Sequence, residues 1–113
     1  MNSTAFREGL IKIMPGYKWT VHRSYGTGWY LSATGIMSAG FNRLSTLSVI
    51  RRDRDGKVSY QASSAGFSSN APFLGENSDG TLARALRGLQ EHYEQQAANY
   101  GRHAARLKSG REG

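Results

Sequence analysis

Residues 44–64 read LSTLSVIRRDRDGKVSYQASS, two runs of alternating apolar and polar side chains around Asp55-Gly56. Asp-Gly between two such runs is typical of a tight β-hairpin, because a type I′ turn needs positive φ at both central residues. Alternation along each run predicts one buried and one polar face. With Asp55 and Gly56 at the tip, the predicted cross-strand pairs are Arg54–Lys57, Asp53–Val58, Arg51–Tyr60, Ile50–Gln61 and Val49–Ala62.

The tip of this hairpin carries more charge than the turn needs. Asp53 and Asp55 only partly neutralise Arg52, Arg54 and Lys57. One interpretation is protective, since charged tips and edges resist association between sheets. The other is functional, since basic side chains that no core contact requires are available to an anionic partner. The sequence leaves both interpretations open.

Length and charge limit the kinds of partner. The 113 residues suit one domain, 1–113, and the net charge is +7 from 15 Lys and Arg against 8 Asp and Glu. Residues 102–113 hold four basic residues and one Glu, which gives +3 in this short tail. A basic surface favours anionic partners, which include nucleic acid, nucleotides, acidic protein faces and lipid headgroups.

Composition excludes several classes of protein. Without Cys, the chain cannot form disulfides, thiolate nucleophiles or Cys-ligated metal sites. No apolar run reaches the ~20 residues that span a bilayer, and residues 1–14 do not read as a signal peptide. We therefore expect no membrane partner and a cytoplasmic protein.

The chain as a whole predicts an α+β fold. Residues 3–14 form a short amphipathic helix, and residues 17–64 form an antiparallel sheet of three to four strands. Residues 64–80 have no sustained period and are expected to be a long loop, of a length that is often functional. Residues 81–108 form a long helix packed on one face of the sheet, with a basic C-terminal extension.

The long helix divides near Tyr93. Its apolar stripe is continuous from Leu82 to Tyr93 and thins beyond, so we expect docking on the sheet up to about that residue. Beyond it the predicted helix frays, breaks near Gly101 or pairs with a partner. A homo-oligomer formed through the C-terminal helix is therefore one expectation.

No residue pattern indicates catalysis. His22, His92 and His103 do not have the spacing of a helical metal pair, and residues 75–81, GENSDGT, lack the lysine of a phosphate-binding loop. The carboxylates lie where nothing would desolvate them and shift their proton affinity. We expect no enzyme activity, no metal and no cofactor.

Aromatic and basic residues are the candidates for function. An uncovered sheet face with aromatics and Arg or Lys at its edges can stack bases or a nucleotide ring, although aromatics in a small sheet also build its core. Adjacent Trp29 and Tyr30 are expected on opposite faces, with one of them under the helices. The candidates for stacking are Trp19, Trp29, Tyr30 and Tyr60. The candidates for partner or anion binding are Arg43, Arg51, Arg52, Arg54, Lys57, Arg84, Arg87, Arg102 and Arg106.

The helix–strands–helix order is loosely similar to that of double-stranded RNA-binding domains, but the last helix starts with SDGTLARALR and lacks their lysine cluster. Three segments together resemble small accessory proteins of bacteriophages: PGYKWTVHR (15–23), GFNRLSTLSVIRRDRDGKVSY (40–60) and TLARALRGLQEHYEQQAANYG (81–101).

This resemblance implies a non-enzymatic, anti-defence type of protein in the cytoplasm of a bacterial host. Such a protein binds and blocks, stoichiometrically, a host protein or ribonucleoprotein that handles nucleic acid or defends the cell, including CRISPR complexes. Direct binding of RNA or single-stranded DNA by a basic aromatic sheet face is the alternative. Sequestration of a nucleotide signal is the third hypothesis.

Overall fold

The computed structural model describes residues 2–22, 29–65 and 73–113, apart from the side chains at 42, 43, 73 and 74. It confirms the α+β class, with a short helix first, an antiparallel sheet next and a long helix last. The elements are α1 (Ser3–Ile13), β1 (Lys18–Val21), β2 (Tyr30–Ala39), β3 (Asn42–Arg54), β4 (Lys57–Ala65), β5 (Phe73–Asp79) and α2 (Leu82–Glu112).

The sheet is an antiparallel meander in which each strand pairs with the next, in the order β1-β2-β3-β4-β5. It has five strands, so the expected three to four was slightly too few. The fifth lies in segment 64–80, which was expected to be a loop. Its sequence, FLGENSD, is poor in strand-forming residues, and pairing with β4 holds it in place, for example Ala62 with Asn77. Residues 66–72 of the expected loop lie outside the described residues.

The β3–β4 hairpin has the predicted register. All five predicted cross-strand pairs are present, and the strands separate only at Asp55 and Gly56. Both residues have positive φ, 52° and 79°. Gly56 meets this demand without the strain that a Cβ would add, which explains why a dipeptide could predict the turn.

One face of the sheet forms the core. α1 contacts β1 and β2, and α2 contacts β4 and β5. The helices bury alternate strand residues together with their own apolar faces. At Gly35 the indole of Trp19 lies so close that a Cβ would come within 2.8 Å of it. The core residues are Phe6, Leu10, Trp19, Leu31, Ala33, Leu47, Val49, Tyr60, Ala62, Leu82, Ala85, Leu86 and Leu89.

Side-chain caps fix where both helices begin. Asn2 accepts a hydrogen bond from the amide of Ala5 at 2.8 Å, and Thr81 accepts one from the amide of Arg84 at 3.2 Å. The second helix continues through Gly101 to Glu112, so the expected break is not there. No helix in the described ranges combines the length and the apolar character needed to span a bilayer.

Candidate binding surface on the uncovered sheet face

Strand alternation places the neighbouring residues Arg51 and Arg52 on opposite faces of β3. Arg51 points under the helices and is 7% exposed. Its Nε donates a hydrogen bond to the Tyr60 hydroxyl at 3.2 Å, and its guanidinium carbon lies 5.9 Å from the centre of the Tyr60 ring. Arg51 is therefore not available on the surface as a partner-binding residue. The predicted pairing of Arg51 with Tyr60 already placed Arg51 on the same face of the hairpin as the apolar residue Val49.

Two of the four stacking candidates are also buried. Trp19 and Tyr60 belong to the core cluster, since both occupy strand positions that face the helices. Trp29 is 46% exposed, and its ring centre lies 5.7 Å from that of Tyr30. The expectation that one of Trp29 and Tyr30 packs under the helices is wrong, because Tyr30 lies opposite Arg52 on the uncovered face and Trp29 is almost half exposed.

Three strands bring basic and aromatic side chains together on the uncovered face, at the end where the β3–β4 hairpin turns. Tyr30 pairs with Arg52, and Arg54 pairs with Lys57. The guanidinium carbon of Arg52 lies 5.8 Å from the centre of the Tyr30 ring. We call this region the hairpin-end surface; it comprises Trp29, Tyr30, Arg52, Arg54, Asp55, Lys57 and Ser59. A shallow depression of about 530 Å³ lies within it, bounded by Arg52, Arg54, Asp55, Lys57 and Ser59.

A chain of hydrogen bonds across the uncovered face orients Arg52. Its Nη1 donates to Oε1 of Gln61 at 2.9 Å, and Nε2 of Gln61 donates to Oε2 of Glu76 at 2.9 Å. The three residues belong to β3, β4 and β5. Because a guanidinium has five N–H donors, the bond to Gln61 leaves donors for an anion. Arg52 is thus held in place while it keeps the capacity to bind a phosphate.

The rest of the uncovered face is lined mainly by small polar side chains. Thr20, Ser32, Thr34 and Ser48 share it with the two isoleucines Ile36 and Ile50. Nε2 of His22 lies 2.7 Å from Oγ1 of Thr34. Side chains of this size leave a low surface that an extended ligand can cross. The hairpin-end surface therefore opens onto a polar face.

The other basic candidates do not join the hairpin-end surface. Arg84, Arg87, Arg102 and Arg106 are exposed on α2, which lies over the opposite face of the sheet. The side chain of Arg43 lies outside the described residues. Of the nine predicted basic positions, the structure brings together three: Arg52, Arg54 and Lys57.

Sequence reasoning missed a groove between the two helices. It has a volume of about 500 Å³ and lies over β3, with Met14 and Leu86 on its two sides and Leu47 beneath. The Tyr17 hydroxyl donates to Oγ of Ser45 at 2.8 Å, and the Tyr93 hydroxyl donates to the carbonyl oxygen of Ser64 at 3.0 Å. No sequence pattern reports this groove, because it depends on the distance between α1 and α2.

Within the described ranges, no group of three or more His, Asp or Glu side chains is placed to hold a metal ion. The expectations of no enzyme activity and no cofactor stay predictions. No protein-family model matches the chain, and neither does any curated protein or solved structure. The resemblance to bacteriophage accessory proteins therefore also stays a prediction.

Proposed function

We propose that this chain is a non-enzymatic protein that binds single-stranded nucleic acid on its hairpin-end surface. One observation carries the proposal: both helices lie on one face of the sheet, and Tyr30, Arg52, Arg54 and Lys57 share the other face. The fold itself does not require three cations at this position.

The chemistry of the surface suits a single strand. Arg52, Arg54 and Lys57 supply charge and hydrogen-bond donors for phosphate oxygens. Trp29 offers an exposed ring on which a base can stack. Stacking of a base on an aromatic side chain contributes about 1–3 kcal/mol per base, whatever the base. Bases inside a duplex cannot stack on a protein ring, so we expect weaker binding to a duplex of the same length.

Fluorescence anisotropy with a labelled 12-nucleotide oligo(dT) tests the proposal. Three phosphate contacts predict that log K falls against log salt with a slope of about −2. The triple variant Arg52→Ala, Arg54→Ala, Lys57→Ala should lose binding by at least tenfold and flatten this slope. The matched control Arg84→Ala, Arg87→Ala, Arg102→Ala removes the same charge from α2 and should keep most of the affinity. Equal losses in both variants would indicate unspecific attraction to a basic protein and contradict the proposal.

Intrinsic fluorescence tests the stacking contact separately. The chain has two tryptophans, of which Trp19 is buried and Trp29 is exposed. Oligonucleotide binding should quench the emission of Trp29, and the variant Trp29→Phe should lose this quenching while Trp19 still emits. Quenching that persists in Trp29→Phe would place the bases elsewhere.

A second candidate function is stoichiometric blocking of a bacterial defence or nucleic-acid-handling factor. The observation that favours it is Phe41, which is fully exposed in the turn between β2 and β3. A projecting aromatic of this kind is a typical anchor of protein interfaces. Affinity purification from a bacterial lysate after nuclease treatment would test it, with Phe41→Ser as the control. A host protein that the wild type recovers and Phe41→Ser does not would support this second function. If nuclease treatment is omitted and only nucleic acid is recovered, the result supports binding of single-stranded nucleic acid.

A further inference from the structure

The second half of α2, from residue 97 to Glu112, is exposed at every position. Among the described residues, the hydrogen bond between α2 and the sheet that lies furthest along the helix joins Tyr93 to Ser64. Gly101 and Gly110 each weaken a helix by about 1 kcal/mol relative to Ala. Since helices in proteins owe most of their stability to packing of one face, a projecting segment of this composition calls for a partner.

The projecting half carries an apolar stripe that continues the buried face of the helix. Tyr93, Ala97, Tyr100, Ala104 and Leu107 follow one another at spacings of three and four residues. This stripe lies in line with the leucines that pack on the sheet. Tyr100 is 72% exposed and Leu107 is 60% exposed, so the same side of the helix is covered at one end and open at the other.

We propose that a second copy of this chain covers the stripe, through antiparallel packing of the two projecting halves. In this arrangement Tyr100 of each copy lies opposite Ala104 of the other, and Leu107 lies opposite Ala97. Each large side chain then meets a small one, which lets the helices approach closely and interdigitate. The two sheets lie at opposite ends of the helix pair.

Charge favours the antiparallel order. The last turns of α2 carry Lys108, Arg111 and Glu112, a net charge of +1, whereas the start of the projecting half carries Glu94 and follows Glu91 by one turn. Antiparallel packing brings the basic turns of one copy beside the acidic turn of the other. Parallel packing would bring the two basic ends together, which is unfavourable.

The size of the contact sets the expected strength. The segment from residue 94 to the end of α2 at Glu112 spans about 28 Å of helix. One helix pair of this length buries less than the ~1,600 Å² of a standard interface. We therefore expect a reversible dimer with a dissociation constant on the order of micromolar.

Sedimentation velocity on the full chain tests the dimer. At high micromolar concentration the molar mass should be twice the 12.4 kDa of one chain. Dilution should reduce it to the mass of a single chain. The variant Tyr100→Asp, Leu107→Asp should stay monomeric. The control Ala98→Asp, Ala105→Asp adds the same charge on the opposite side of the helix and should still dimerise. A wild-type chain that is monomeric at millimolar concentration, or a stripe variant that dimerises like the control, would overturn the proposal.

Disulfide trapping tests whether the two helices pack antiparallel. Because the chain has no native Cys, only the introduced cysteines can form disulfides. Under mild oxidation, a mixture of Ala97→Cys and Leu107→Cys chains should form the mixed disulfide. Ala97→Cys alone should form none, because position 97 of one copy lies far from position 97 of the other. Rapid disulfide formation by Ala97→Cys alone would show parallel packing and overturn the antiparallel arrangement. The monomeric stripe variant should still bind the 12-nucleotide oligo(dT), which keeps this test independent of the proposed function.

Discussion

Arg51 and Arg52 are neighbours in sequence, and each packs against a tyrosine at nearly the same distance, 5.9 Å and 5.8 Å. Arg51 lies under the helices against Tyr60, whereas Arg52 lies on the uncovered face against Tyr30. The local contact is the same in kind, but the surroundings differ. Residue type and sequence position therefore say little about the role of a basic residue in a strand until its face is known.

The two faces differ in how they satisfy a charge. Arg51 is buried with its Nε bonded to a neutral hydroxyl, and its Nη1 has no hydrogen-bond partner in the described part of the chain. Arg52 is partly exposed, and Gln61 and Glu76 extend its hydrogen bonding along the sheet. Water solvates the second charge but not the first, so we expect substitutions on the two faces to differ in kind.

The largest expected difference comes from adding a carboxylate to each face at neighbouring positions. Val49 is fully buried, so Val49→Asp should destabilise the fold by more than about 4 kcal/mol and leave little folded protein. Ser48→Asp, on the uncovered face, should lose less than about 1 kcal/mol. Far-UV circular dichroism during urea titration measures both. Similar midpoints for the two variants would mean that the faces are not distinct.

A smaller effect is expected from the buried arginine and its tyrosine. Tyr60→Phe removes the acceptor for Nε of Arg51 and should reduce stability by about 1–3 kcal/mol. Adding Arg51→Met should recover much of this loss, because an apolar side chain of similar volume needs no partner. Tyr100→Phe, on the exposed helix and measured at a concentration at which the chain is monomeric, is the control and should change little. If the double variant is less stable than Tyr60→Phe, the burial of Arg51 is favourable overall.

The smallest effect on stability is expected on the uncovered face. Arg52→Met should change the unfolding free energy by no more than about 0.5 kcal/mol, because this charge is accessible to water and its bonds are replaceable. The same variant should weaken oligo(dT) binding severalfold. Thermal melting and fluorescence anisotropy on one preparation separate the two outcomes. A large loss of stability with unchanged binding would assign Arg52 a structural role.

Local chemistry explains what the sequence could predict. The Asp55-Gly56 turn and the alternation beside it determine the β3–β4 register without help from the rest of the chain. Strand β5 could not be predicted, because its residues have no alternating pattern and it is held by pairing with β4 and by contact with α2. The local sequence pattern predicts a strand whose geometry is determined by its own residues and turn, as in the β3–β4 hairpin. It does not predict a strand such as β5, whose geometry depends on its neighbours.

The candidate site shows the same division. Arg52, Arg54 and Lys57 follow from the hairpin, and their grouping with Tyr30 follows from pairing between β2 and β3. The sequence left open which face of the sheet would stay uncovered, so Arg51 and Arg52 were both candidates for partner binding. The helices decide that, because α1 and α2 both pack on the face that carries Val49.

Both irregularities in the described pairing lie at the same end of the sheet, between Met37 and Ser38 in β2 and between Ser64 and Ala65 in β4. Pairing between them and the hairpin tip is regular. Loss of one residue from this regular stretch would exchange inward and outward side chains for the rest of the strand. Gain or loss of a residue beyond the irregularities would be absorbed at that end. Relatives of this chain should therefore vary in length near residues 38–42 and 65–73 and keep a constant length from 44 to 63.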